Sequence, residues 1–402
     1  MSKLLSAAGL AALVVLTGCK SGFNRTHSQP KDPNPPPCAE EASNPNLSAE
    51  ARRVFKMLAG LTCSDIAFDG YIMGQNAGFG NEIAASSGER TYAALITAVD
   101  TATTHIPGLV SIDYEHDRIF TLEQLKQANQ KLIDHWKAGG LVSISWSPKN
   151  PWNTSSLLYS DNVSLTSLVD DSTSAYDDWH ERLDVIADAL KELKDAGVPV
   201  LWRPLPEMNR DTFWWGTRAS HINGETGNAS RYTDLWEDMY EYFKKKELNN
   251  LLWVYSPGEG PSGTTSGPAG KSATWAYPGE KFVDVVAGIA RNDSLAIKDY
   301  QALIDLERPF GMAEYSPTPA ELGGTLSKTP KTFDARTYAD RLHGSYKAAG
   351  FWVSWHNTSA SINDDEDVVS YMSLIDSDHL KDLTDRNYIL SVERIKEHKL
   401  RD

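Results

Sequence analysis

Positive charge and cysteine are both scarce in this chain. It carries 39 Lys and Arg against 54 Asp and Glu, which gives a formal net charge of −15 over 402 residues. Nucleic acids and anionic membrane surfaces are bound through basic faces, so this balance argues against both as partners and favours a neutral ligand. The three cysteines show no CxxC spacing, so neither a zinc ribbon nor a redox pair is predicted.

Several catalytic motifs are also missing from the sequence. The ten histidines show no HExxH spacing, there is no GxSxG turn for a serine nucleophile, and no glycine run ends in GK[ST]. The segment GPSGTTSGPAG at 260–270 is too irregular to cradle a phosphate and indicates a flexible loop. We therefore predict no metal site and no cofactor.

Beyond the N-terminus, no apolar run is long enough to span a bilayer. The N-terminus itself has Lys3, an apolar run from Leu4 to Leu16 and small residues before Cys19, which is typical of a secretory signal. Its LTGC ending resembles a bacterial lipobox, which implies a signal peptide over 1–18 and a lipid on Cys19. The alternative is an ordinary signal peptide with a chance cysteine. We expect export and anchoring by the lipid to a bacterial membrane, and Lys20 after the cysteine favours the outer membrane.

The next segment, residues 19–47, is rich in Pro, Asn and Ser and contains few apolar residues, so we predict a flexible tether. Residues 48–402 remain for a single domain, which we expect to be monomeric. Cys38 and Cys63 are the thiols left after lipidation, and an oxidising compartment would allow them to pair. The sequence gives no distance between the two, so the disulfide stays open.

Eight short apolar runs recur along the chain, each ending in polar or aromatic residues and most followed by a helical pattern. They start near residues 71, 108, 140, 198, 251, 283, 309 and 351. Near-continuous apolar strands that alternate with helices indicate a parallel sheet, and eight strands close a barrel. The predicted fold is a (β/α)8 TIM barrel of the α/β class. In such barrels the reactive groups lie at the C-terminal strand ends.

Two glutamates lie where an ordinary core strand would be apolar. Glu207 follows the fourth run, and Glu314 interrupts the seventh, PFGMAEYSP. A buried carboxylate is costly unless it is paired or used, so each alone could simply form a salt bridge, with Arg203 and Arg308 as candidate partners. Two carboxylates at one barrel mouth, surrounded by aromatics, are what glycoside hydrolysis requires.

Aromatic and polar residues near the predicted strand ends complete the candidate site. Aromatic rings supply apolar platforms for sugar rings, whereas Trp136 on a helix and Trp202 within a strand are more typical of packing. The residues assigned to substrate binding here are Asp113, Trp146, Trp152, Trp214, Trp215, Trp275, Tyr315 and Trp355.

The segment WRPLPEMN, with FWWG close behind it at 213–216, resembles the acid/base segment of glycoside hydrolase family 26. FGMAEYSP resembles the nucleophile strand of that family, and three further segments agree: ISWSPKNPW, LLWVYSP and YPGEKFVDVVAG. The resemblance covers most of residues 50–360. It implies a (β/α)8 barrel and, for most members, endo-β-1,4-mannanase activity. β-1,3-Xylanases and mixed-linkage β-glucanases also occur.

The resemblance also implies residue roles in a retaining double displacement. Glu207 would be the general acid/base, kept protonated in a desolvated pocket, and Glu314 the nucleophile. Arg203 would lie beneath Glu314 and keep it ionised, while Asn209 would orient Glu207 or a sugar hydroxyl, or else cap its loop. Trp355 would be the platform under the sugar next to the cleaved bond.

Four positions depart from the family pattern. Pro206 and Ser147 stand where the family usually has histidine, Thr212 where tryptophan is common, and Arg291 about where a tyrosine contacts the nucleophile. One explanation is a changed substrate, with different hydroxyls or an acidic substituent accepted. The other is a decayed enzyme retained as a non-catalytic glycan-binding lipoprotein.

The glutamates survive together with Arg203 and Trp355, which favours an active enzyme. The expected substrate partner is a polysaccharide or oligosaccharide, with β-1,4-mannan first by family frequency. Mixed-linkage β-glucan, β-xylan and a uronate-bearing glycan are the alternatives.

Overall fold

A computed structural model describes residues 38–63, 70–79, 92–116, 119–152, 164–217, 229–259, 270–317, 333–356, 358–363, 366–370 and 372–401. The expected signal peptide, the lipidation site at Cys19 and the tether as far as residue 37 lie outside the described residues, as does the glycine-rich loop at 260–269.

Eight parallel strands form the centre of the molecule. They are β1 (Tyr71–Phe79), β2 (Leu109–Glu115), β3 (Leu141–Trp146), β4 (Val200–Pro204), β5 (Leu251–Tyr255), β6 (Val285–Arg291), β7 (Phe310–Ser316) and β8 (Ala349–Ser354). Each strand pairs with the next, and β1 pairs with both β2 and β8, so the sheet closes on itself. The predicted (β/α)8 barrel is confirmed, and each of the eight apolar runs overlaps one of its strands.

The helices follow the apolar periodicity of the sequence. They are α1 (Ala49–Cys63), α2 (Ala98–Thr103), α3 (Leu122–Ala138), α4 (Leu165–Leu168), α5 (Ser174–Asp195), α6 (Ala229–Lys245), α7 (Tyr300–Ile304), α8 (Arg336–Gly344), α9 (Leu380–Thr384) and α10 (Val392–Glu397). A π-helical turn, Ala93–Thr97, precedes α2, and a 3₁₀ turn spans Leu374–Asp376. Helix α3 shows the local signals clearly: Thr121 and Gln124 form a capping box at its start, and Gly139 ends it with φ of 110°.

Short strands lie outside the barrel wall. An antiparallel pair is formed by Thr358–Asn363 and Glu366–Ser370, and Phe333–Asp334 pairs with Ser377–Asp378. Ile389–Leu390 adds to the start of β1. No helix among the described residues is long and apolar enough to cross a bilayer.

The buried apolar residues form two hydrophobic cores, one inside the barrel and one outside it. The outer core joins the strands to the surrounding helices and includes Ile144, Trp202 and Val286. The inner core fills the lower barrel, where Leu201 and Phe351 pack with Phe55 and other residues of α1. Because α1 covers the N-terminal end of the strands, the cleft opens at their C-terminal end.

Residues 38–47 pack against the barrel, so the prediction of a flexible tether as far as residue 47 is wrong for this part. The N–H of Ala39 donates to the carbonyl of Glu307 at 3.0 Å, and the N–H of Ser43 to Oδ1 of Asp284 at 2.6 Å. Cys38 and Cys63 are joined in a disulfide, with Cα atoms 5.5 Å apart. The two hydrogen bonds come from residues more than two hundred positions away, which no local composition signals.

Candidate active site

Strand β4 delivers an arginine to the inside of the barrel. Leu201 belongs to the inner core and Trp202 to the outer one. Successive side chains of a strand alternate between its faces, so Arg203 points inward again, and it is only 2% exposed. A buried guanidinium requires anionic or hydrogen-bonding partners, and the barrel mouth provides them.

Glu207 lies in the turn that follows β4, at a backbone conformation that side chains rarely adopt. Its φ is 57°, and that of Leu205 is 47°. Left-handed residues other than glycine cost about 1–3 kcal/mol each and persist where their surroundings hold them. The N–H of Leu205 donates to the carbonyl of Trp146 at 2.9 Å, and that of Glu207 to the carbonyl of Ser256 at 2.8 Å. Two neighbouring strand ends therefore fix the carboxylate at the mouth.

Glu314 reaches the barrel interior through an irregularity in β7. The pairing register with β6 shifts so that Gly288 opposes Met312 and Ile289 opposes Glu314, which leaves Ala313 as an extra residue. Ala313 belongs to the inner core, while Met312 lies in the outer one. The bulge thus places two consecutive side chains, Ala313 and Glu314, on the inner face, and bulges commonly re-aim side chains at active sites.

Arg203 holds one oxygen of Glu314 from across the barrel. Its Nη2 donates to Oε1 of Glu314 at 2.8 Å, and its Nη1 to Oγ of Ser256 at 3.3 Å. The predicted contact between Arg203 and Glu314 is confirmed. Arg308, the other candidate partner, bonds instead to the carbonyl of Glu280 at 2.7 Å.

Arg291, the last residue of β6, bridges the two glutamates. Its Nε donates to Oε2 of Glu314 at 2.9 Å, and its Nη2 donates to Oε1 of Glu207 at 2.6 Å and also to Oε2 of Glu314. A single nitrogen that hydrogen-bonds two oxygens keeps them within about 5 Å of each other. The two predicted catalytic carboxylates are therefore adjacent, and we name Arg203, Glu207, Arg291 and Glu314 the charged cluster.

The electrostatics of the charged cluster favour an ionised Glu314. Burial alone would raise the pKa of this carboxyl, but the charges and hydrogen bonds of Arg291 and Arg203 outweigh burial and lower the pKa to about 2. Burial would likewise lower the pKa of Arg291, and the two glutamates together raise it instead. At neutral pH Glu314 is therefore deprotonated and negatively charged.

Three of the predicted aromatic platforms keep exposed surface. Trp152, Trp275 and Trp355 are half-buried. Trp355 follows β8, and its ring centroid lies 5.8 Å from the guanidinium carbon of Arg203. The backbone N–H of Trp355 donates to Oγ of Ser316 at 2.6 Å, which fixes the start of the loop after β8. Trp355 therefore lies beside the charged cluster and is only partly buried.

Four other predicted platforms are packing residues, so their assignment to substrate binding is wrong. Trp146, Trp214, Trp215 and Tyr315 are fully buried. Trp146 faces the helices and stacks on Trp179 at 5.4 Å. The indoles of Trp214 and Trp215 donate to the carbonyls of Pro148 and Pro206, and the hydroxyl of Tyr315 to that of Leu295. These rings support the loops of the cleft from behind.

The side-chain amide of Asn209 is hydrogen-bonded to neighbouring loops. Its Nδ2 donates to the carbonyls of Gly258 at 2.9 Å and Lys271 at 3.1 Å, and its Oδ1 accepts from the N–H of Gly258 at 2.7 Å. With both ends of the amide engaged, Asn209 braces the loop after β5. The loop-capping alternative is therefore the one observed.

Asp113 lies inside the barrel with 1% of its surface exposed and is not placed to touch a sugar. Nδ2 of Asn76 donates to its Oδ2 at 3.3 Å. Burial is the largest influence on the Asp113 carboxyl and raises its pKa to about 7, although the charge of Arg203 opposes this. Asp113 is thus a titratable group within the electrostatic reach of the charged cluster.

Two buried polar residues were missed by the sequence analysis. Ser256 bonds both Arg203 and the backbone of Glu207, and His356 contacts Oδ1 of Asn76 through Nδ1 at 2.6 Å. Both follow directly on apolar runs, in LLWVYSPGEG and FWVSWHNTSA. Their position at strand ends was the available signal.

The four departures from the family pattern occupy different surroundings. Ser147 and Pro206 are buried, and Thr212 is exposed. The backbone N–H of Ser147 donates to the carbonyl of Glu115 at 3.2 Å. Arg291 is the departure that touches both glutamates.

Comparisons with known proteins agree with this geometry. The profile of glycosyl hydrolase family 26 matches residues 43–331. The mannan endo-1,4-beta-mannosidase A and B of Caldalkalibacillus mannanilyticus is 32% identical over 324 residues, which are 78% of this chain and 58% of that protein. A mannan endo-1,4-beta-mannosidase of Bacillus subtilis is 30% identical over 262 residues, 63% of this chain and 68% of that protein.

The solved structure of Bacillus subtilis mannanase man26 superimposes with a TM-score of 0.69 at 26% identity, covering 88% of this chain and 96% of that one. The chain thus spans 58% of the length of the first curated relative and most of the solved structure. The profile match extends across most of the barrel, and the barrel carries the paired glutamates where the resemblance expected them. The chain belongs to glycoside hydrolase family 26.

Proposed function

We propose that this protein is an endo-acting glycoside hydrolase that cleaves a β-linked polysaccharide with retention, β-1,4-mannan first. One observation carries the proposal: Glu314, kept ionised by two arginines, lies beside Glu207 at the mouth of the barrel. The relatives named mannan endo-1,4-beta-mannosidase support the choice of backbone.

In the first step an oxygen of Glu314 attacks the anomeric carbon of the sugar. The bond from that carbon to the glycosidic oxygen breaks, and the leaving oxygen takes its electron pair and the proton of Glu207. The product is a glycosyl ester on Glu314 and a shortened chain with a free hydroxyl.

In the second step a water oxygen attacks the same carbon and gives its proton to the Glu207 carboxylate. The ester bond breaks, and Glu314 leaves as a carboxylate. Two inversions give net retention, which calls for carboxyl groups about 5–5.5 Å apart, whereas inverting enzymes need about 6.5–9.5 Å. The bridging nitrogen of Arg291 supports the shorter class.

The test is product release from mannan, galactose-substituted mannan, mixed-linkage glucan and β-xylan. Glu314→Ala should abolish cleavage. Glu207→Ala should lose polymer cleavage but still react with a dinitrophenyl mannoside, because that leaving group needs no proton. Glu280→Ala is the matched control, since the Glu280 side chain is 80% exposed and lies outside the site. Cleavage that survives in Glu314→Ala would contradict the proposal.

A binding-only protein is the second candidate. It is favoured by the bond from Arg291 to Glu207, because a guanidinium stabilises a carboxylate and a general acid has to carry a proton. Retardation on polysaccharide gels without product release, unchanged in Glu314→Ala, would establish this candidate instead.

We also propose that the chain is exported, lipid-anchored through Cys19 to the outer membrane, and monomeric. The lipobox-like LTGC and the disulfide of Cys38 with Cys63, which suits an oxidising compartment, support export. Mass spectrometry of the N-terminal peptide should find a lipid on Cys19, and Cys19→Ala should release the protein to the soluble fraction. An unmodified Cys19 would contradict anchoring.

A further inference from the structure

The charge of the charged cluster changes when the site becomes ready to react. With both carboxyl groups ionised, Arg203 and Arg291 balance Glu207 and Glu314. The first chemical step requires a protonated Glu207, and the four groups then carry one uncompensated positive charge. Asp113 interacts electrostatically with Arg203 and Glu314 and, with its pKa raised to about 7, is mostly neutral in mildly acidic solution. The reactive form is therefore short of one negative charge.

Arg291 is the member of the charged cluster that faces the cleft. Its side chain is 32% exposed, against 2% for that of Arg203 and 4% for that of Glu314. Its Nε and Nη2 are bonded to the glutamates, and within the described part of the chain its Nη1 has no hydrogen-bond partner. The two N–H groups of Nη1 therefore remain as donors beside the point of cleavage.

While the cleft is empty, water solvates the uncompensated positive charge of the charged cluster. A bound polysaccharide displaces the water, and an uncompensated charge then becomes costly unless the substrate replaces the lost solvation. A hydroxyl does so weakly, whereas a carboxylate forms charge-assisted hydrogen bonds with a guanidinium and restores neutrality.

We propose that Arg291 binds a carboxylate on a sugar beside the cleaved bond, so that the preferred substrate is an acidic β-linked polysaccharide. The inference rests on the proposed hydrolase function and refines its substrate class. Arg291 then acts as a specificity-determining residue, and substrate binding draws its charge away from Glu207.

The experiment compares one backbone in two charge states. β-1,4-Mannan oxidised in part at C6 carries carboxylates, and reduction of the same batch with carbodiimide and borohydride returns neutral units with the same linkage and chain length. We expect kcat/KM to be at least about 10-fold higher for the oxidised polymer, in line with a hydrogen bond to a charged group. In Arg291→Met the ratio should fall to about one, and Arg291→Lys should retain part of it.

Within each variant, the ratio of kcat/KM for the oxidised polymer to kcat/KM for the reduced polymer cancels any general loss of activity caused by disturbing the charged cluster. Arg53→Met, at an exposed arginine of α1 far from the cleft, should leave the ratio unchanged. Equal activity on the two polymers, or a preference that persists in Arg291→Met, overturns the inference and leaves the proposed hydrolase function standing.

Failure of the hydrolase function would look different, because neither polymer would be cleaved. Affinity electrophoresis on the same two polymers still decides the inference in that case. Stronger retardation by the oxidised polymer that is lost in Arg291→Met supports it, and equal retardation overturns it.

Discussion

Replacing Arg203 by methionine should expose how strongly the barrel depends on its buried charge pair. Arg203 is buried and its Nη2 lies 2.8 Å from Oε1 of Glu314. The substitution keeps an unbranched chain of similar length and removes the charge, so Glu314 loses one of its two cationic partners. Breaking a buried pair typically costs about 3–5 kcal/mol. Because Arg291 still holds Oε2, we expect a loss of about 2–3 kcal/mol in the free energy of unfolding at pH 7.

The loss should depend on pH with a defined sign. The pKa of Glu314 is depressed to about 2 in the folded protein, so its ionisation contributes stability above the ordinary carboxyl pKa. That contribution disappears as the pH falls from about 4.5 towards 2. The difference between wild type and Arg203→Met should therefore be full at pH 7 and shrink below about pH 4.5. The acid limb of kcat/KM should also move to higher pH, because Glu314, the proposed nucleophile, becomes easier to protonate.

Urea unfolding at pH 7, 5 and 3.5 measures the first effect, and a pH profile of kcat/KM measures the second. A double variant, Arg203→Met with Glu314→Gln, supplies the control for packing, because no buried carboxylate is left unpaired. It should be less destabilised than the sum of its single variants. Additive losses, or an Arg203→Met protein within about 0.5 kcal/mol of wild type, would refute the electrostatic reasoning.

Three further predictions follow from other parts of the structure. A Cβ on Gly258 would meet side-chain atoms of Arg210 at 2.7 and 2.8 Å and Oε2 of Glu207 at 2.9 Å. Gly258→Ala should therefore displace both side chains and lower kcat about 10-fold or more with little change in Tm. The control Gly344→Ala meets nothing within 4 Å and should keep the wild-type kcat, so equal kcat in both variants would contradict this prediction. Asp113 has a raised pKa of about 7, so the free energy of unfolding of the wild type should fall as the pH rises from about 4 to 7. Urea unfolding of Asp113→Asn should show a flatter dependence of this free energy on pH. An unchanged slope would count against a buried, titrating Asp113. Replacing Cys38 and Cys63 by serine removes a crosslink between positions 25 apart, so the free energy of unfolding should fall by about 2–4 kcal/mol while kcat is retained. The same loss of stability on reducing the wild type would identify the disulfide as its cause.

The sequence was sufficient to predict the barrel and the pair of glutamates at its mouth, because local sequence patterns indicate both. Apolar runs at regular spacing predicted the eight strands, and Glu207 and Glu314 interrupt that pattern where carboxylates would be expensive. The contact from Arg203 to Glu314 was implied by the family resemblance and is now explained by strand parity. Leu201, Trp202 and Arg203 alternate between inner and outer faces, so the apolar residues on either side of the arginine determine where it points.

Strand parity also explains the errors at the aromatic residues. Leu141 lies in the inner core, and counting forward in twos from Leu141 puts Ser145 inside and Trp146 outside, against the helices. The prediction of Trp146 as a platform depends on its position at a strand end and omits this alternation. Trp214 and Trp215 could not be placed by parity, because they lie in a loop whose indole bonds reach the carbonyls of Pro148 and Pro206. Sequence could not decide between the two predicted roles of Asn209 for the same reason, since its partners come from the loop after β5.

The position of Glu314 depends on the bulge as much as on its chemistry. In a regular β7, Met312 outside and Ala313 inside would put residue 314 outside, against the helices, and Tyr315 within the barrel. The extra residue reverses this, so the glutamate enters the barrel mouth and the tyrosine packs behind it. Arg291 keeps regular alternation with Val285, Ala287 and Ile289 along β6, and so meets Glu314 from the neighbouring strand while Arg203 meets it from across the barrel. A one-residue shift in one strand thus decides whether two arginines face a carboxylate or a phenol, and the shift is visible in the ladder of hydrogen bonds with β6.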